Sequence, residues 1–256
     1  MSMIVLSAQN ERRIVLVCLA LVVIVGLAAS LQFGDQLMMA TMADDTGGYT
    51  YPVLLFMMWW TMMVAMMLPS AAPAILTFAA ISRKVQDGRG AALRLMAFAS
   101  GYLLIWTGFA LAVVIVQILL GPKIELSMMM AVASTAIGGS LLIAAGLYQI
   151  SPLKSACLRK CQMPLMYFSH HWKNGTGGAL SMGLSHGIYC VGCCWVLMGL
   201  LFYGGVMELR WIVGLALYVA VEKLIPAQNR ISQFAGVLLI GWGAFTLWQA
   251  ISVAQI

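Results

Sequence analysis

Apolar stretches of 18 or more residues recur along this chain, and they constrain its fold more than any other feature. Each is long enough to cross a hydrocarbon core of roughly 30 Å as a helix. Only 9% of the 256 residues are charged and 62% are hydrophobic, whereas a soluble domain has about 25% charged residues. The runs are continuous and do not alternate, which favours helices over a barrel. The sequence therefore predicts an all-α, polytopic transmembrane helix bundle that forms a single integral membrane domain over residues 1–256.

About seven transmembrane helices are predicted, of which the sixth is the shortest. Pro69 and Pro73 lack backbone N–H groups and are expected to kink the second span. The segment 151–178, between the fourth and fifth spans, is expected to be a cytoplasmic interfacial loop anchored by Trp172 and Lys173. The predicted spans are Ile14–Leu31, Pro52–Ile81, Leu95–Leu120, Ser127–Ile150, Ala179–Tyr203, Trp211–Leu224 and Phe234–Val253.

The positions of the basic residues predict the orientation of the chain. All of the 14 lysines and arginines except Lys123 and Arg210 fall on the side of the N-terminus when the predicted spans are followed. Because cytoplasmic loops carry an excess of positive charge, the N-terminus is predicted to be cytoplasmic. The net charge of +6 then reflects membrane topology, and no nucleic-acid partner is expected. The first apolar run follows Arg12 and Arg13 and ends near small residues, as signal peptides do, but its length favours an uncleaved anchor.

A Cys- and His-rich face in the fifth span is the first candidate for chemistry. His186, Cys190 and Cys193 fall within about 60° of arc on one helix face, and Cys194 lies beside them. Soft sulfur ligands favour Cu(I), zinc or iron–sulfur centres over hard cations. We therefore interpret these four residues as metal ligands. The alternative is that these small residues, like the glycines of the same helix, only allow it to pack closely against other helices.

Methionines form two rows along the second span. Met62 and Met66 lie in one row, and Met63 and Met67 lie in the other. Thioethers are neutral, soft ligands, so these rows are predicted to form a path for Cu(I). The alternative is packing, because methionine also fills gaps between helices. The rows and the thiols of the fifth span have similar predicted depths in the membrane, which allows them to face one cavity.

A second cysteine pair lies in the segment after the fourth span. Cys157 and Cys161 have the spacing C-x3-C and are flanked by basic residues, while His170 and His171 follow nine residues later. Nearby cations make thiols more reactive and more competent to bind metals. This pattern predicts a zinc or copper docking site. The alternative is a basic segment that binds anionic lipid headgroups.

Several motifs of enzymes are missing from the sequence. The chain has no phosphate-binding loop, no serine-nucleophile elbow and no HExxH motif, so ATP hydrolysis is not expected and no catalytic residue is assigned. Of the acidic residues, Glu222 comes nearest to the middle of a span. Its neighbour Lys223 suggests a local ion pair or snorkelling to the membrane surface.

Four motifs give the chain a resemblance to a known family. They are Ala65–Ser70, the cysteine-containing segment Pro152–Pro164, Gly183–Trp195 and the pair Glu222-Lys223. Together they resemble the DUF2182 family, described as predicted metal-binding integral membrane proteins of bacteria, over roughly residues 52–225. The resemblance implies a multi-pass protein of the bacterial inner membrane but supplies no reaction. It also implies that the family's motif positions are Cys157, Cys161, His186, Cys190, Cys193 and Cys194.

Our leading hypothesis is a protein that binds, transports or delivers a soft metal ion, with copper as the first candidate and zinc as the alternative. Its expected partners are the lipid bilayer and a metal donor or acceptor protein, and its oligomeric state is open. One alternative is a membrane thiol oxidoreductase, in which Cys193 forms a disulfide with Cys190 or Cys194. Others are an assembly protein for a membrane metalloenzyme and a purely structural role.

Overall fold

The described part of the chain is almost entirely helical. The computed structural model describes residues 2–42, 48–85, 90–120, 135–225 and 230–254, and no β-strand occurs within these ranges. This confirms the all-α prediction. The helices are α1 (Ser2–Met42), α2 (Thr50–Ser70), α3 (Ala72–Val85), α4 (Ala91–Leu120), α5 (Thr135–Ile150), α6 (Pro152–Gln162), α7 (Pro164–His170), α8 (Gly175–Gly199), α9 (Leu201–Gly204), α10 (Leu209–Leu224) and α11 (Arg230–Ala254).

Five helical segments in the described residues are long and apolar enough to cross a membrane. They lie in α1, α2, α4, α8 with α9, and α11, and α5 with α6 would make a sixth if that pair, bent by 62°, counts as one span. These helices are consistent with a membrane protein, but their number, five or six, is below the seven transmembrane helices predicted. The predicted sixth span, Trp211–Leu224, falls in α10, whose 16 residues are fewer than the about 20 that a span needs. The start of the predicted fourth span, residues 127–134, lies outside the described residues.

The two prolines interrupt the second span as expected. Helix α2 carries Pro69 in its last turn and ends at Ser70, and α3 begins at Ala72 with Pro73 as its second residue. A proline in the first turn of a helix loses no internal hydrogen bond, so Pro73 starts α3 without cost. The break places the C-terminal end of α2 beside α4 and α10, where the candidate site lies.

The segment 151–178 forms the helices α6 and α7 and the first turn of α8, where an interfacial loop was expected. Ser151 caps α6 by accepting a hydrogen bond from the backbone N–H of Lys154, and Pro152 occupies the first turn. Helix α6 packs against α8, and α7 packs against α3. Phe168 of α7 is fully buried and makes edge contacts with the rings of Phe78 and Phe98. The segment is therefore part of the packed bundle.

Glycines allow α4 and α8 to approach very closely. A Cβ atom at Gly183 would overlap the backbone carbonyl of Phe98, and one at Gly101 would overlap the carbonyl of Leu180. Small residues at such crossings are typical of membrane helices, because they allow backbones to come into contact. The crossing brings Tyr102 of α4 against the cysteine face of α8.

Candidate metal centre

The cysteine face of α8 is buried where α2, α4, α6 and α10 meet around it. Cys190, Cys193 and Cys194 are all nearly inaccessible. The sulfur of Met67, in the last turn of α2, lies 3.9 Å from the thiol sulfur of Cys194. One end of the methionine rows therefore contacts the cysteine face. Met62, Met63 and Met66 lie farther along α2 and are buried in the same core.

The C-x3-C pair joins the α8 thiols in one cluster. The thiol of Cys161 is buried and lies beside the thiol of Cys193. Cys157 is half-buried and lies against α8, so close that a Cβ atom at Gly192 would be 2.9 Å from its sulfur. We call Cys161, Cys190, Cys193, Cys194 and Met67 the sulfur cluster.

The two histidines after the C-x3-C pair lie apart from this cluster. His170 and His171 are both exposed. The ring of His171 stacks on Tyr167 at 4.9 Å between centroids, and its Nδ1 faces the carbonyl oxygen of the same residue at 3.1 Å. The structure thus separates the side chains that the sequence grouped into a docking site. The cysteines point inward and the histidines point outward.

His186 lies one turn before Cys190 on α8 and is 2% exposed. The rings of Phe98, Tyr102 and Phe168 surround it at centroid distances of 6.1, 5.9 and 6.4 Å. Its Nδ1 is buried with no hydrogen-bond partner in the described part of the chain. Buried polar atoms are rarely left unpaired, so this nitrogen is a candidate ligand atom.

A lysine that the sequence reasoning did not assign contacts the sulfur cluster. The ammonium nitrogen of Lys223, from α10, lies 2.9 Å from the sulfur of Cys190 and 3.0 Å from the hydroxyl oxygen of Ser70. The hydroxyl of Tyr102 donates to the carbonyl of Met67 at 2.9 Å and lies 3.1 Å from the same Cys190 sulfur. A signal for these residues existed, because Ser70 and Lys223 both belong to the motifs quoted above.

The expected local pair between Glu222 and Lys223 is wrong. Glu222 pairs with Lys154 of α6 at 2.7 Å, and both side chains are at most 1% exposed. Tyr218 and Ser232 also donate to the Glu222 carboxylate, at 3.0 and 2.6 Å. Consecutive residues of a helix point about 100° apart, so Glu222 faces α6 while Lys223 faces α8.

The ligand chemistry of the cluster fits a soft cation, although its side chains are not arranged around one point. Among the described residues, no group of three or more His, Cys, Asp or Glu side chains has the spacing to hold a metal ion. The thiols of Cys193 and Cys194 donate to the carbonyl of Cys190 at 3.1 and 2.9 Å, so they turn toward their own helix. Binding an ion through them requires rotation about the Cα–Cβ bonds.

The distance between Met67 and Cys194 already suits a shared ion. Two sulfurs that each bind one ion at about 2.3 Å, as in zinc–thiolate sites, lie about 4 Å apart when the angle between the bonds is trigonal. The observed separation is 3.9 Å. The separation of these two sulfurs therefore already matches that of two ligands of one soft cation.

One comparison with known proteins gives a match. The model of the PpoB2 family, described as a copper chaperone, matches residues 56–246, which include the whole sulfur cluster and the residues around it. No curated protein and no solved structure matches the chain. The match does not confirm the DUF2182 resemblance, but a copper chaperone is consistent with the metal-binding character that the resemblance implied.

Proposed function

The chain belongs to the PpoB2 copper chaperone family, and from this premise we propose that it binds Cu(I) at the sulfur cluster and delivers it to a partner protein. The observation that carries the proposal is the presence of sulfurs from α2, α6 and α8 in one buried cluster. Thiolates and thioethers are the ligand types that select Cu(I). Copper is the cargo in this proposal, and the site holds it until the partner removes it.

The proposed ligands are two thiolates among Cys190, Cys193 and Cys194 of α8, whose third cysteine stays a protonated thiol, with Met67 as a neutral ligand. His186 lies one turn away with an unpaired nitrogen and provides an additional ligand during loading. All five side chains are at most 2% exposed, which keeps water away from the ion. Zinc also binds cysteine and histidine and remains the alternative cargo.

A route for delivery is suggested by the change in burial along the thiols. Cys193 is fully buried, Cys161 is 7% exposed and Cys157 is half-buried. We propose that the ion passes from Cys193 to Cys161 and then to Cys157, where a partner protein receives it. Further neutral ligands on α2 would supply the ion to the cluster from the opposite side; these are Met62, Met63 and Met66.

We further propose that the protein lies in the bacterial inner membrane with a cytoplasmic N-terminus. The five apolar helices of membrane length and the one-sided distribution of lysine and arginine support this location. The receiving partner would then bind on the side of Cys157. A thiol oxidoreductase is less consistent with the site, because disulfide exchange needs access to an attacking thiolate and the α8 thiols are buried.

The test is elemental analysis of the detergent-purified protein after loading with Cu(I). The triple variant with serine at Cys190, Cys193 and Cys194 is compared with the wild type and with Cys18→Ser, whose thiol is exposed on α1. We expect roughly stoichiometric copper in the wild type and in the Cys18 control, and its loss in the triple variant. Zinc in place of copper would refute the copper assignment. Equal metal in all three proteins would refute the site, as would no metal in the wild type.

A further inference from the structure

Lys223 is a buried cation whose contacts differ from those of an ordinary ion pair. The residue is 6% exposed, and its ammonium faces the Cys190 sulfur and the Ser70 hydroxyl. Among the described residues, the ion pairs join Glu222 to Lys154 and Glu208 to Arg210, and neither includes Lys223. The ammonium is therefore directed at the proposed cargo site.

A buried ammonium is costly unless a negative charge compensates it. The acceptors on Lys223 are a hydroxyl and a sulfur, and only the sulfur can carry a negative charge, as a thiolate. The C-terminal end of α2 at Ser70 adds the negative end of a helix dipole. The surroundings of Lys223 therefore match a cation that balances thiolate charge.

We propose that Lys223 is the fixed counter-cation of the bound cargo and makes the site selective for a monovalent soft ion. This inference rests on the proposed function. A Cu(I) ion bound by two thiolates and a neutral thioether has a net charge of minus one. Adding the Lys223 ammonium makes the buried assembly neutral. Removing this positive charge leaves the complex uncompensated in a medium of low dielectric constant, where such charges are strongly unfavourable.

The same charge count disfavours divalent ions at this site. A divalent ion with two thiolates is neutral, so the ammonium would leave the assembly with a net positive charge. Such an ion reaches the neutral state only if the third α8 cysteine also loses its proton, whereas Cu(I) reaches it with two thiolates. Lys223 therefore favours a cargo of the class Cu(I) or Ag(I) over zinc.

The surrounding hydroxyl groups hold this arrangement in place. The Ser70 hydroxyl donates to the carbonyl of Met67 at 2.8 Å while it accepts from Lys223. Tyr102 donates to that same carbonyl and contacts Cys190. The ammonium, the thiol of Cys190 and the backbone of the ligand Met67 are thus linked in one hydrogen-bonded unit.

The test compares Lys223→Met, Lys223→Gln and Lys223→Arg with the wild type. Lys173→Met, which alters an exposed lysine of the same chain, is the control. Affinities for Cu(I), Ag(I) and Zn(II) are measured in detergent by competition with chromophoric chelators. We expect the Met and Gln variants to bind Cu(I) and Ag(I) about 10- to 100-fold more weakly, because a hydrogen bond from a charged donor is lost. The preference for Cu(I) over Zn(II) should fall in the same variants, while Arg should stay within a few-fold of the wild type.

The outcomes separate this inference from the proposed function. If the wild type binds no copper, the proposed function fails. If the wild type binds copper and the Met and Gln variants bind it equally or more tightly, Lys223 is not the counter-cation and only this inference fails. A parallel loss of Cu(I) and Zn(II) affinity would indicate a merely structural role and would also overturn it. The Gln variant keeps a hydrogen-bond donor without the charge, so it decides the question if the Met variant does not fold.

Discussion

The buried ion pair between Lys154 and Glu222 is the structural feature whose removal should cost the most. The Lys154 ammonium donates to the carboxylate and to the side-chain oxygen of Gln149, and neither charge is accessible to solvent. Tyr218 and Ser232 complete the hydrogen bonds of the carboxylate. The pair joins α6 to α10, and the surrounding donors and acceptors extend the network to α5 and α11.

Replacing Lys154 by methionine removes the cation and leaves the Glu222 carboxylate buried without its partner. Breaking a buried pair from one side costs about 3–5 kcal/mol. A change of 1 kcal/mol shifts the Tm of a chain of this size by about 2–4 °C, so we expect the Tm to fall by about 6–20 °C. The assay is thermal unfolding of the detergent-purified protein, followed by circular dichroism.

The double variant Lys154→Met with Glu222→Gln should recover more than half of that loss. Replacing both charges by neutral groups of similar volume is often neutral in buried sites, and glutamine still accepts from Tyr218 and Ser232. Arg210→Met is the matched control, because the Arg210–Glu208 pair is exposed and screened by solvent, and it should leave the Tm unchanged. If Lys154→Met unfolds like the wild type, or if the double variant is no more stable than the single one, the ion pair does not hold these helices together.

Two further predictions concern the sulfur cluster. Met67→Leu should lower the affinity for Cu(I) by about tenfold or more, because it removes a ligand while keeping an apolar side chain of similar volume. Competition with a chromophoric chelator measures the affinity. The control is Met39→Leu, at an exposed methionine. An alkylating reagent applied to the folded protein should label the half-buried Cys157 well before Cys161 and the α8 thiols, as mass spectrometry of peptides would show. An unchanged affinity in the first case, or prior labelling of Cys161 in the second, would contradict these assignments.

The helices and the cysteine face could be predicted because both depend on local patterns. Long apolar runs require helices in a membrane, and the residues His186, Cys190 and Cys193 recur at helical spacing. The interruption of the second span near Pro69 and Pro73 could also be predicted, because proline lacks a backbone hydrogen-bond donor. These features follow from the covalent chain and need no knowledge of which helices are neighbours.

The composition of the cluster depends on contacts between helices and was harder to predict from the sequence. The sequence assigned the C-x3-C pair to a site of its own, yet the bend after α5 turns α6 onto α8, where Cys161 meets Cys193. Lys223 was missed because its sequence neighbour Glu222 offered an obvious partner. In the structure the Glu222 carboxylate pairs instead with Lys154, which is distant in sequence. No local sequence pattern specifies this pairing.

The two adjacent charges of α10 link the stability of the bundle to the geometry of the sulfur cluster. Glu222 binds Lys154 and so holds α6, the helix that carries Cys161, while Lys223 contacts Cys190 on α8. Glu222 and Lys223 are adjacent on α10, so a rotation of this helix would displace both side chains from their partners on α6 and α8. Buried charges are unfavourable in an apolar bundle unless each has a partner. The pairing that satisfies both charges is therefore also the one that brings the thiols of α6 and α8 together.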